Sequence, residues 1–177
     1  MTVTQERYTL VQKILHWLIA LAVIGALGAG QAIDWLDDGP LKTQLYALHK
    51  ATGMLILGLM LLRIVARIVF GAPPLPISIP SWQRTASAAT HFLLYALILL
   101  MPIVGWAATS AFPAPIPFFG LFEVPPLIGG DRELSKQLFD IHHWMGKAIF
   151  LLVALHIGAA LKHGLIDKDG VFRRMWF

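Results

Sequence analysis

Seven histidines stand in a chain of 177 residues that is otherwise poor in polar side chains, and two of them, His142 and His156, lie 14 positions apart. On an α-helix that spacing is about 40° short of four full turns and roughly 21 Å of rise. The two rings therefore share one helix face at two depths. His143 falls about 140° away from His156 on the same wheel, so it reads as an outer-surface or packing residue. A pair of neutral imidazoles presented from facing helices is what a six-coordinate haem iron accepts axially, and bundle cores are common sites for such cofactors. An ionisable residue inside a membrane helix is costly and therefore a functional candidate. A single one is as readily a donor to a carbonyl on a neighbouring helix, so the pattern of several decides.

The elements that must position these rings are apolar. Hydrophobic residues make up 57 % of the chain and charged residues 14 %, against about 25 % charged in a soluble globular protein. Mean hydropathy is +0.69. Four stretches approach the roughly 20 residues needed to cross a bilayer core, at about 14–33, 45–70, 86–111 and 138–161. A Pro-rich linker over 71–85, containing Pro73-Pro-Leu-Pro-Ile-Ser-Ile-Pro80, cannot continue a helix because Pro lacks the donor and clashes with the preceding turn. Residues 112–137, with five further Pro, read as a loop lying on the membrane interface. The expected fold is all-α, a single membrane domain built as a four-helix bundle. Without Cys there is no disulfide scaffold, no thiolate zinc or iron-sulfur site and no covalently attached haem.

Nine Lys and Arg (Arg7, Lys13, Arg63, Arg67, Arg84, Lys162, Lys168, Arg173 and Arg174) flank one side of the spans, against Lys42, Lys50, Arg132, Lys136 and Lys147 on the other. That bias places both termini in the cytoplasm. The formal charge of +4 then needs no nucleic-acid partner, and no nucleic-acid-binding motif accompanies it. With this topology the first helix carries His16 near its inner end, level with His156, and the second carries His49 near its outer end, level with His142. Two pairs result, His16 with His156 and His49 with His142. Gly53 and Gly146 each follow an outer ligand candidate by four residues, leaving room for a flat ring against the backbone.

Ile14-Leu-His-Trp17, Leu48-His-Lys50, Met101-Pro-Ile-Val-Gly105 and Asp140-Ile-His142, with His156 beyond, together resemble the prokaryotic cytochrome b561 family over nearly the whole chain. The resemblance implies a four-helix bacterial inner-membrane cytochrome with two b-type haems, and His16, His49, His142 and His156 match its ligand positions. It also implies ubiquinone as electron acceptor, and some members of the family oxidise superoxide. A small anion would be drawn by Lys42, Lys50, Arg132, Lys136 and Lys147 if they gather at the outer site. Seven acids share that side, Asp34, Asp37, Asp38, Glu123, Asp131, Glu133 and Asp140, and a positive funnel requires them to sit peripherally. His91 and His163 are candidates for contact with a quinone or a haem propionate, or are ordinary interfacial residues.

The leading expectation is an oxidoreductase that carries electrons from a periplasmic donor, superoxide being one candidate, to ubiquinone. One alternative is a haem-bearing membrane anchor for a periplasmic dehydrogenase or hydrogenase, which brings in a protein partner. Another is a non-redox transporter that uses intramembrane His for protons or metal ions.

Overall fold

The computed structural model describes residues 7–76 and 78–177, so Ile77 of the Pro-rich linker lies outside the described residues. Four long helices account for most of the chain: α1 Leu10–Trp35, α2 Pro40–Phe70, α3 Ser81–Ala111 and α4 Arg132–Leu161. Each is long and apolar enough to cross a membrane. They begin or end several residues beyond the apolar stretches, taking in 81–85 at the start of α3 and 132–137 at the start of α4. Hydropathy marks the hydrocarbon core, whereas helix hydrogen bonding continues into the polar interface.

Local chemistry fixes the ends. Thr9 caps α1 by accepting from the Gln12 amide at 3.3 Å, and the Gln12 side chain accepts from the Thr9 amide at 3.1 Å, a reciprocal capping box. The α2 helix starts on Pro40 and stops at Gly71, whose φ of +67° suits a residue without Cβ. Asp131 caps α4 through the Glu133 and Leu134 amides. Pro102 stands inside α3 without ending it, since flanking structure can re-satisfy the carbonyl it frees.

The extensive helix contacts are α1 with α2, α2 with α3 and α3 with α4. Among the described residues no comparable contact joins α4 to α1 or α2, and only Ser135 and Ile149 of α4 are buried. Two interhelical gaps therefore flank α4. Between them a compact apolar layer is formed by Ile19, Val23, Ile56, Met60 and Ile149. Large side chains such as Leu21, Leu62, Ile68 and Leu155 point outward, as lipid-facing residues do.

The segment between α3 and α4 is folded back on the bundle. It contains a short antiparallel hairpin, β1 Pro117–Phe118 and β2 Phe122–Glu123, and buries Ile116. Trp106 donates to the Pro125 carbonyl at 2.9 Å, and the Ser110 hydroxyl accepts from the Leu127 amide at 2.9 Å. At the other end of the molecule, α4 runs on through a π-helical turn, Lys162–Asp167, into a short 3-10 turn, Phe172–Arg174.

Candidate functional site

The gap between α2 and α4 holds His49 and His142, with ring centroids 6.1 Å apart and planes at 74°. Among the described residues, both Nδ1 atoms are buried without a hydrogen-bond partner. The carbonyl facing His49 is that of Ala26 on α1, and the one facing His142 is that of Met101 on α3. A ring whose Nδ1–H points at a carbonyl keeps Nε2 unprotonated and available to a metal.

A cleft of about 1880 Å³ opens around this pair, larger than the roughly 300–1,000 Å³ of ordinary small-molecule pockets. Gly53 and Gly146 both line it. A Cβ at Gly53 would meet nothing within 4 Å, and one at Gly146 only the Met101 Cε at 3.5 Å, so there is open space one turn along from His49 and from His142. Lys50, Arg132, Lys136 and Lys147 stand along the cleft, joined by the acids Asp34 and Asp140. Four cations thus meet two carboxylates there, and the other five acids of that side lie off the lining. Lys42 is outside the cleft, paired with Asp38 at 3.0 Å. Lys50 donates to the Pro115 carbonyl, which ties the mouth of the cleft to the folded segment. His143 is exposed at the rim.

The gap between α1 and α4 holds the second pair. His16 and His156 have ring centroids 6.2 Å apart and planes at 87°. His91 on α3 comes closer still to His156, at 5.4 Å, and its Nδ1 lies 3.4 Å from the Ser87 hydroxyl. The Arg63 guanidinium is within electrostatic reach of all three rings and stacks over Tyr95 at 5.5 Å. The chain's C-terminal segment covers this end. Trp17, next to His16, donates to the Met175 carbonyl at 3.1 Å, and Trp176 packs edge-on against Trp17 at 5.4 Å. His163 faces carboxylates instead, with Nδ1 2.6 Å from Asp169 and 3.5 Å from Asp167. Lys162 also pairs with Asp167.

The four long helices thus bring His16 to His156 and His49 to His142, at two levels separated by the apolar layer. A metal bonded to two imidazole nitrogens at about 2 Å each sets their ring centroids about 6 Å apart, so the donor type, the spacing and the orphaned Nδ1 atoms all fit a haem iron. A four-helix membrane bundle with partly buried imidazoles facing across such gaps has the design of a membrane cytochrome of the b type.

Comparison with known proteins agrees. The family model for prokaryotic cytochrome b561 matches residues 7–177, and the chain belongs to that family. "Cytochrome b561 homolog 2" of Escherichia coli (strain K12) is 32 % identical over 98 % of this chain and 93 % of its own length. "Cytochrome b561 homolog 1" of the same organism is 29 % identical over 96 % of this chain and 97 % of its own. "Probable superoxide oxidase CybB" of Yersinia pestis is 28 % identical over 96 % of each. The protein is a multi-pass bacterial inner-membrane cytochrome that binds haem b and transfers electrons.

Several contributors to the two sites carried no role in the sequence. Arg63 counted only toward topology. Gly105 belonged to a motif without an assigned task, although a Gly in the interior of a helix is itself a signal, since it costs about 1 kcal/mol relative to Ala. The carbonyls of Ala26 and Met101 are backbone groups and leave no mark on residue identity.

Proposed function

We propose that this chain is a di-haem b-type cytochrome that oxidises superoxide on the periplasmic side and reduces ubiquinone. His16 with His156 would hold one haem and His49 with His142 the other, and each haem supplies a one-electron couple at its end of the bundle. The single observation that carries this reading is the pair of matched ring separations, 6.2 and 6.1 Å. His91, 5.4 Å from His156 on the third helix, is left as a contact for the quinone or a propionate. His163, engaged by Asp169, is less available for such a contact.

The Lys and Arg bias supports a cytoplasmic location for both termini, which puts the His49–His142 cleft outward. There Lys50, Arg132, Lys136 and Lys147 attract a small anion, and Asp34 and Asp140 only partly offset them. The name of the Yersinia pestis relative supports superoxide as the donor. Two superoxide anions release two O₂ and two electrons, and these electrons with two protons convert one quinone to one quinol. The apolar layer of Ile19, Val23, Ile56, Met60 and Ile149 lies between the two sites. Membership of a haem b family displaces the transporter alternative.

Rapid mixing of superoxide with the oxidised protein and a soluble ubiquinone tests the donor. The expected result is fast haem reduction and one quinol per two superoxide consumed. A response no faster than that to ascorbate overturns superoxide as the donor.

A further inference from the structure

In the His49–His142 site the paired rings come from α2 and α4, yet each ring leans on a helix that supplies no histidine there. The arrangement repeats. On α3 the Met101 carbonyl faces His142, and four residues on, Gly105 is the point of closest approach: a Cβ built on it would lie 2.9 Å from the His142 Cε1 and 3.1 Å from its Nδ1. On α1 the Ala26 carbonyl faces His49, and four residues on, a Cβ at Gly30 would lie 3.5 Å from the His49 Cε1. In a helix the carbonyl of residue i accepts from the amide of residue i+4. The side chain at i+4 therefore guards that carbonyl's remaining lone pair, and a Gly leaves it open.

We propose that Met101 and Gly105 form a seat for His142, in which the carbonyl accepts a hydrogen bond from Nδ1–H and the missing Cβ admits the ring, and that Ala26 and Gly30 form a looser seat for His49. The seats fix the tautomer and the ring plane, so Nε2 points into the gap between α2 and α4. Both buried Nδ1 atoms need an acceptor, and leaving such a donor unsatisfied costs about 1–3 kcal/mol. The tolerance differs between the two: a contact of 3.5 Å at Gly30 is ordinary, whereas one of 2.9 Å at Gly105 forces the ring to move. Gly105 is thus a positioning residue for His142. The inference rests on the assignment of His49 and His142 as axial ligands.

The test compares Gly105→Ala with wild type and with Gly58→Ala, where an added Cβ meets nothing within 4 Å. Protohaem per chain, the midpoint potential of each haem and the ferric EPR spectrum are measured in the purified membrane protein. Gly105→Ala is expected to lose up to half of the haem, or to keep it with a changed potential and EPR signal at one site, while the His16–His156 haem is unaltered. Gly58→Ala is expected to match wild type. If Gly105→Ala binds two haems with wild-type potentials and EPR signals, the seat is refuted. If wild type itself binds fewer than two haems, the ligand assignment fails instead. Should Gly105→Ala not accumulate, the double variant Gly105→Ala/His142→Ala decides. Without the ring the new Cβ loses its three closest neighbours, so the double variant is expected to accumulate with one haem as His142→Ala does, and its failure to do so overturns the proposal.

Discussion

His16 on α1 and His156 on α4 meet edge to face, with ring planes at 87°, and His49 and His142 repeat the relation at 74°. Axial imidazoles in nearly perpendicular planes leave two iron d orbitals close in energy, which makes a low-spin ferric ion strongly anisotropic. Both sites are expected to give large-g low-spin EPR signals, the His16–His156 site showing the more extreme one. Two ordinary rhombic spectra, as parallel imidazoles give, contradict these ring orientations.

Removing single ligands tests the pairing. His49→Ala and His142→Ala are each expected to halve the protohaem content by emptying one site, and His16→Ala and His156→Ala to halve it by emptying the other. Redox titration distinguishes the two sites by the potential that survives. His143→Ala, at the exposed rim, is expected to keep both haems. If His49→Ala and His16→Ala leave the same surviving potential, the pairing is wrong.

The helices and the two histidine pairs were legible in the sequence because both depend on period and length. A 14-residue spacing places His142 and His156 on one face, and four apolar stretches fix which rings share a depth. The order of neighbours around the bundle was not legible, since depth matching does not say which helices touch. Nor was the seat under His142, because half of it is a carbonyl and the other half a missing Cβ. The five outer cations looked equivalent in the sequence, yet Lys42 turns away to Asp38 while the other four line the cleft. Only the folded positions separate them: Lys42 lies in the first turn of α2 beside Asp38, whereas Lys50 reaches the Pro115 carbonyl.

The same division gives a measurement. Exchanging Lys136 and Lys147 for Glu reverses the local field, and steering of a small anion is expected to fall on the order of tenfold at low salt. The rate of haem reduction by superoxide reports it, and the difference from wild type is expected to shrink as ionic strength rises. Lys42→Glu is expected to change the rate far less. Equal effects of all three substitutions contradict a role for the cleft.

The C-terminal cover carries a pH dependence. Burial pushes the Asp169 carboxyl up, but the Val171 amide and the His163 ring outweigh it and hold the group below its ordinary value. A carboxylate lowered on folding stabilises the fold above its unfolded value, and that contribution is lost as pH falls through the lowered folded value. Residues 172–177 are therefore expected to lose protection from proteolysis in acid, and Asp169→Asn to lose part of it at neutral pH. Protection unchanged in both cases contradicts the role given to Asp169.

The central claim is two haems, each held by two histidines of this chain, and it is tested most directly by protohaem quantification together with a reduced-minus-oxidised visible spectrum of the purified protein. The expected result is two protohaem per chain with low-spin b-type bands and no change on adding carbon monoxide. One haem per chain, or a reduced spectrum that shifts with carbon monoxide, contradicts it.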